Sequence, residues 1–321
     1  MIRAVIDIGS SSIKMRVADV SKQGVRVICD ETEVVRLGRG MSSTGLLSGE
    51  SMKLSCSAVS RMVRKARRIG AEIFIAGTMA LRTAQNASDF VGMVKSETGL
   101  DVHILGGKTE AKYSWLGASE GFCRVLSHGI TGNAVMFDTG GGSTEFVAGS
   151  GREVKRSASV PIGAVNLSER YFSEGKNPVK KSVCDEAVEY VCSLFAEYDI
   201  EDFRPEKTDT DTNTNTNKGG VVIAVGGGVA AMSCVKCASE EFIPSKLHGS
   251  ILTIKDVRRQ IRLYSSLTLS ERENIIGLPK SRADVILGSA CIVFAALKTL
   301  DAPSCIVSIN GLRHGLLVGD I

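Results

Sequence analysis

The sequence lacks an apolar run long enough to cross a bilayer. Its longest apolar stretch near the end, Val285 to Leu297, falls short of the ~20 residues a spanning helix needs and reads as a buried helix. A charge excess of one sign is lacking too. Lys and Arg number 39 against 35 Asp and Glu, and the resulting +4 is too mild to imply a nucleic-acid partner. No basic, then apolar, leader precedes the strand-like residues that begin almost at Met1, so no targeting segment is expected. The nine cysteines form no recognisable disulfide framework. Cys192, Cys291 and Cys305 sit within apolar patterns, which fits thiols in a reducing cytoplasm. Cys234 and Cys237 have no second pair to complete the four ligands of a zinc site, so buried helix thiols are the better reading. His103, His128 and His314 show no nucleophile-and-base spacing, and His248, followed by Gly249, reads as a structural residue at a turn. What remains is an ordinary globular composition in a chain of 321 residues, long enough for two domains.

What the chain has is two turns of one kind. Asp7-Ile8-Gly9-Ser10-Ser11-Ser12 follows the apolar run Ala4–Ile6, and Asp138-Thr139-Gly140-Gly141-Gly142-Ser143-Thr144-Glu145 follows Ala134–Phe137. Each leads into a second alternating stretch, so each reads as strand, tight turn, strand with a carboxylate at the strand end. Successive N–H groups in such turns form a nest for anions, and a carboxylate beside them suits Mg²⁺ or its water. Two such turns in separate halves suggest paired lobes gripping a phosphate chain.

Strand-like segments at Ile2–Ile6, Ile13–Val20, Val25–Val35, Glu72–Ala76 and Val102–Leu105 alternate with helical ones at Glu50–Ile69, Ser88–Thr98 and Lys108–Glu120. The second half repeats the opening meander at Ala134–Phe137 and Glu145–Ala148. Helices follow at Gly163–Phe172 and Val179–Phe203, then the strand Val221–Val225. This order predicts two α/β domains of related topology, 1–128 and 129–321. The bridge His128–Gly132 is a hinge candidate between them. Thr208–Asn217, within an insertion near 206–218, contains only Thr, Asp and Asn and cannot bury enough surface to order itself.

Further segments carry two readings each. Gly226-Gly227-Gly228, between a strand and a helix, is either a phosphate-binding helix start or a close packing turn. Gly106-Gly107-Lys108-Thr109 is not a P-loop, because Val102 stands where the motif needs glycine. Arg61, Arg64, Lys65 and Arg68 share one helix face, and a solvated surface is favoured over a polyanion guide. Arg82, just past the strand Glu72–Ala76, is placed to clamp a phosphate. Glu110 is either a general base or a helix-start carboxylate.

In order and wording these segments resemble the exopolyphosphatase/guanosine pentaphosphate phosphohydrolase family of the actin-like, sugar-kinase-like ATPase superfamily. The resemblance runs from Ala4–Val17 through Gly77–Arg82, Ile104–Gly117, Met136–Val147, Ser159–Phe172 and Val225–Gly228. It continues at Leu247–Thr253, Gly277–Leu287 and Ser308–Leu317, covering nearly the whole chain at the length of the two-domain form. Thr109 stands where the family has an acidic residue before its catalytic Glu, and Asn310 also departs from the pattern.

The resemblance implies two actin-like, ribonuclease H-like domains with a cleft between them, and hydrolysis of terminal phosphoanhydride bonds. It makes Glu110 the base that activates water. It makes Asp7, Asp138 and Glu145 ligands of Mg²⁺ or another divalent cation. Gly9, Ser10, Ser11, Ser12, Arg82, Gly140, Gly141, Gly142 and Ser143 become phosphate-binding residues. Inorganic polyphosphate is the favoured substrate, because a site reading only phosphates needs no base pocket, and guanosine pentaphosphate is the alternative. A homodimer is implied; neither nucleic acid nor membrane is expected as a partner. The rival readings are a kinase or ATPase of the same superfamily, and a non-catalytic sensor of guanosine pentaphosphate or tetraphosphate.

Overall fold

Strand alternation builds the first sheet. In a computed structural model describing residues 1–21, 24–123, 133–172, 178–205, 220–239 and 241–319, the chain divides into two compact units. One unit is Met1–Gly117 with Leu312–Ile321, and the other is Ala118–Gly311. The sequence boundary at 128/129 and the bridge His128–Gly132 lie outside the described residues, as does the Thr208–Asn217 run.

The first unit opens with an antiparallel meander, β1 (Ile2–Ile8), β2 (Ser12–Ser21) and β3 (Gly24–Val34). Next come α1 (Met41–Thr44), α2 (Gly49–Ile69), β4 (Glu72–Gly77), α3 (Met79–Thr83), α4 (Ala87–Thr98), β5 (Val102–Ile104) and α5 (Gly107–Cys123). The sheet order is β3-β2-β1-β4-β5, with β1-β4 and β4-β5 parallel. Central β1 is covered on both sides, as its apolar run requires. Ala4, Ile6 and Ile8 join Val59, Met62 and Phe90 in one cluster, while Val5 joins Ala76, Leu312, Leu316 and Leu317 in another. Each large side chain so buried contributes about 1.5–3 kcal/mol. Helix α2 starts where the Ser48 hydroxyl accepts from Ser51 N–H and stops at Gly70, whose φ of 75° suits glycine. The long edge strand β3 carries Arg26, Asp30, Glu31 and Glu33, which keeps the edge from recruiting another strand.

The second unit repeats the meander with β6 (Ala134–Thr139), β7 (Thr144–Ser150) and β8 (Glu153–Val160). After it come α6 (Ala164–Tyr171), α7 (Lys181–Glu197), β9 (Val221–Val225), α8 (Gly227–Lys236), α9 (Pro244–Leu247) and β10 (Ile251–Thr253). The unit closes with α10 (Ile254–Ser266), α11 (Leu269–Arg272), α12 (Ile286–Thr299) and β11 (Ser304–Ser308), before α13 (Leu312–Val318) returns to the first unit. The sheet order is β10-β11-β9-β6-β7-β8. Helix α12 is apolar on every side and almost wholly buried, the outcome expected for Val285–Leu297. The helix expected over Val179–Phe203 is interrupted: α7 ends at Glu197, Asp199 takes φ 53°, and a 3-10 turn covers Ile200–Phe203. A residue in the left-handed region cannot continue an α-helix.

Candidate functional site

Each unit carries its own cluster of the expected residues. In the first, β1 delivers Asp7 to its C-terminal end and the chain reverses through Gly9–Ser11. The Gly9 N–H closes the turn on the Ser12 carbonyl at 3.1 Å. Carbonyls of this turn are held from behind: Ser11 O accepts from the N–H groups of Val35 and Arg36, and Ser10 O accepts from Gly38 N–H. Among the described residues, the amides of Ser10 and Ser11 donate to no protein acceptor. Amides left over after the carbonyls are satisfied are what an anion nest needs.

Parallel β1-β4 pairing sets Asp7 beside Ala76 and Ile8 beside Gly77. The chain leaving β4 therefore enters α3 close to the first turn, and Thr78 N–H bonds Ile8 O. Arg82 on α3 then reaches Glu110 in the first turn of α5, Nη1 to Oε2 at 2.8 Å, and also donates to Leu105 O at 2.8 Å. The expected phosphate clamp and the expected base are thus paired, with side chains 24% and 11% exposed.

Asp7 is buried, and its Oδ1 has no hydrogen-bond partner among the described residues. Burial pushes its carboxyl above the ordinary range, and the fields of Lys14 and Arg313 only partly oppose this. Lys14 stands directly across from Asp7 in the β1-β2 register. Arg313 is held by Met15 O at 3.3 Å and by Asp30, which also receives Arg16 Nη2 at 2.6 Å. Burial pushes Asp30 up, but Arg313 and then Arg16 outweigh it and leave its carboxyl below the usual range.

In the second unit the β6-β7 turn repeats the geometry, with Gly140 N–H on Ser143 O at 2.9 Å. Its carbonyls cap a helix. Gly140 O and Gly141 O accept from Ala164 and Val165 at the start of α6, at 2.9 and 2.7 Å. Asn166 fixes the junction, accepting from Gly163 N–H at 2.7 Å and donating to Gly142 O at 3.0 Å. A side chain at Gly163 would lie 2.4 Å from Gly142 N, so only glycine allows this approach. The amides of Gly141 and Gly142 donate to no protein acceptor among the described residues.

Asp138 stands directly opposite Glu145, and Glu145 opposite Ser159, whose hydroxyl donates to Glu145 Oε1 at 2.9 Å. Directly paired residues share one face, and two carboxylates so placed repel. A divalent cation would relieve that repulsion. Among the described residues no group of three or more His, Cys, Asp or Glu side chains is arranged to hold a metal. Mg²⁺ fits such a site, because it is typically held by one or two carboxylates plus waters and substrate phosphates.

Other expectations resolve by packing. Side chains at Gly226 and Gly228 would lie 2.4 Å from Thr139 O and 2.4 Å from Ser289 Oγ, so the third turn needs glycine for close packing. The basic face of α2 is consumed locally, with Arg61 on Glu33, Lys65 on Glu31 and Arg64 on Ser60. His103 stacks on Phe74 and His248 on Phe122, and burial holds the His248 imidazole below its ordinary value. Sequence reasoning passed over Lys14, Arg313, Asp30 and Ser159. Lys14 was within reach, since the hairpin register of a four-residue turn places it across from Asp7; the others depend on contacts distant in sequence.

The model of the Ppx/GppA phosphatase family matches residues 16–321. The chain is 26% identical to a bifunctional 3-dehydroquinate synthase/phosphatase of Fusobacterium nucleatum, over 99% of its length and 46% of the relative's. It is 27% identical to a guanosine-5'-triphosphate,3'-diphosphate pyrophosphatase of Photobacterium profundum, over 98% of its length and 58% of the relative's. The chain thus spans about half the length of these relatives. The solved Aquifex aeolicus PPX-GPPA enzyme superposes with a TM-score of 0.77 at 25% identity, covering 100% of this chain and 99% of that one. An exopolyphosphatase of Cytophaga hutchinsonii shares the fold, with a TM-score of 0.82 at 21% identity over 99% and 96% of the two chains. Two mixed sheets with flanking helices, matched in this way, give the actin-like α/β fold expected from the sequence.

Proposed function

This chain belongs to the Ppx/GppA phosphatase family, and on that premise we propose that it releases orthophosphate from the ends of inorganic polyphosphate. The observation that carries the reading is the Asp138–Glu145 cross-strand pair beside a turn whose amides are open to anions. A site built of amides, hydroxyls, a guanidinium and carboxylates recognises phosphate and cation and needs no base pocket.

Phosphoryl transfer is mostly positioning and charge neutralisation, so each residue has a physical task. Amides and hydroxyls of Gly9–Ser12 and Gly140–Ser143, with Arg82, bind terminal phosphate oxygens. Asp138 and Glu145 would hold Mg²⁺, which when bound neutralises phosphate charge, and Asp7 is the corresponding carboxylate of the other turn. Glu110 orients a water and takes its proton as the water oxygen bonds to phosphorus. The bridging P–O bond breaks, and the shortened chain leaves on its oxygen. No protein nucleophile takes part. The Arg82–Glu110 pair supports this division of labour: a phosphate that draws the guanidinium away uncovers the carboxylate that must accept the proton.

A second reading has its own observation, because relatives such as the Photobacterium profundum protein are named as guanosine-5'-triphosphate,3'-diphosphate pyrophosphatases. The test measures Mg²⁺-dependent phosphate release from long-chain polyphosphate and from guanosine pentaphosphate, with Glu110→Gln alongside. The expected result is faster release from polyphosphate, reduced about a hundredfold to ten-thousandfold in Glu110→Gln. A strong preference for the nucleotide replaces the first reading by the second. Full turnover in folded Glu110→Gln removes Glu110 as the base.

A further inference from the structure

Three consecutive carbonyls of the β6-β7 turn are fastened to the start of α6. Gly140 O accepts from Ala164 N–H at 2.9 Å, and Gly141 O from Val165 N–H at 2.7 Å. Gly142 O accepts from the side-chain amide of Asn166 at 3.0 Å. A trans peptide is planar, so its N–H points away from its C=O. Drawing these three carbonyls toward α6 therefore turns the amides that follow them, on Gly141, Gly142 and Ser143, to the opposite side. Among the described residues none of those three amides donates to a protein acceptor.

Two of the three anchors are backbone N–H groups, which any residue at 164 and 165 other than proline would supply. The third is a side chain, and among the described residues Gly142 O has no other donor. The orientation of the Asn166 amide follows from its partners. Its Oδ1 accepts from Gly163 N–H at 2.7 Å, while its Nδ2 donates to Gly142 O and, at 3.3 Å, to Pro161 O. Exchanging oxygen and nitrogen would set an acceptor against two carbonyls and a donor against an N–H. In the first unit the matching carbonyls, Ser10 O and Ser11 O, are held by the backbone N–H groups of Gly38, Val35 and Arg36. A side chain does that work in the second turn.

We propose that Asn166 is a positioning residue for phosphate: by holding Gly142 O, it aims the Ser143 amide at the terminal phosphate of the substrate. This rests on the reading of the turn as a phosphate site. Without the side chain Gly142 O turns to water, and the peptide joining Gly142 to Ser143, with glycine on one side, is free to rotate. The anion must then order that peptide itself, which weakens binding.

Two substitutions separate this role from capping of α6. Asn166→Asp keeps an oxygen for Gly163 N–H but loses the donor to Gly142 O, whereas Asn166→Ala loses both. Binding of inorganic orthophosphate, which cannot be hydrolysed, is followed by phosphorus NMR titration of the full chain with Mg²⁺ present. Thermal melts and phosphate release from long-chain polyphosphate are measured alongside. Both variants should weaken orthophosphate binding about tenfold, the scale of one hydrogen bond to a charged group. Both should raise KM for polyphosphate by a similar factor with a smaller effect on kcat, and Asn166→Ala should also melt earlier. Weakened binding in one variant alone, or in neither, overturns the proposal, whatever happens to the melts; so does a wild-type chain that does not bind orthophosphate. A wild-type chain that binds orthophosphate but releases none from polyphosphate removes the hydrolase reading, and the three affinities still decide the role of Asn166.

Discussion

The two strand–turn–strand units that open the sheets are built alike but set opposite charges across from their aspartates. Both close on a glycine N–H bonded to a serine carbonyl three residues on, Gly9 to Ser12 and Gly140 to Ser143. Both carry a register shift between second and third strands, at Val17/Ala18 and at Ala148/Gly149. Across from Asp7, however, stands Lys14, and across from Asp138 stands Glu145. The first turn brings its own countercharge, deepened by Arg313. The second sets negative across from negative, a pair that the proposed cation would stabilise. A repeated scaffold thus serves two tasks through one cross-strand position, which singles out the second turn as the place where a metal dependence should originate.

Making the second turn resemble the first is the most disruptive test of that contrast. Glu145→Lys replaces repulsion by an internal ion pair with Asp138 and removes one of the two carboxylates proposed to hold Mg²⁺. Mg²⁺-dependent phosphate release should fall about a hundredfold or more, the scale of losing one electrostatic stabiliser of the transition state. Circular dichroism and a thermal melt establish that the variant is folded. Undiminished turnover with unchanged Mg²⁺ dependence would show that the cross-strand position does not govern the metal.

Much of this contrast was within reach of the sequence, and the limits have physical causes. Both turns and their meander strands were legible because apolar alternation and Asp-x-Gly wording are local. Helices α2, α4 and α5 came within a few residues of their ends, since caps such as Ser48 and Gly70 mark them. Edge strand β8 was not legible: Glu153, Lys155 and Arg156 leave it little apolar alternation. Nor was the return of α13 to the first unit, which rests on long-range contacts such as Arg3 to Leu317 O at 3.2 Å. Arg82 and Glu110 were each singled out, but their ion pair arises only when α3 and α5 are set side by side by β4 and β5. The charge of a position across a strand is a matter of register, and register is tertiary.

Arg313, which deepens the first turn's countercharge, is anchored in the Arg16–Asp30–Arg313 network, so removing Asp30 probes the other side of the comparison. Arg16 is 6% exposed in its side chain and would lose the carboxylate that it shares with Arg313. Breaking a buried pair costs about 3–5 kcal/mol, and the partial exposure of Asp30 reduces this to roughly 2 kcal/mol. Asp30→Asn should lower the urea midpoint accordingly; an unchanged midpoint would show the network to be surface decoration. Because the folded carboxyl titrates below its unfolded value near ~3.9, its contribution is full above that value and fades as pH falls through the folded one. Acid unfolding of Asp30→Asn should therefore depend less steeply on pH than that of wild type.

The finest distinction between the turns lies in their matching glycines. A Cβ at Gly9 would stand 3.1 Å from Ser12 O, whereas one at Gly140 would stand 3.4 Å from Ser143 O, an ordinary contact. Both carbonyls accept the closing hydrogen bond, so neither can move without lengthening it. Alanine restricts the unfolded chain and by itself would stabilise either site by about 0.4–1 kcal/mol. At Gly140 that gain should survive, leaving Gly140→Ala neutral to slightly more stable in urea. At Gly9 the tighter approach must push Ser12 O aside, and Gly9→Ala should be less stable than wild type by about 1 kcal/mol. Equal midpoints for the two variants would mean that the turns are interchangeable in packing, and that only the charge across the strand tells them apart.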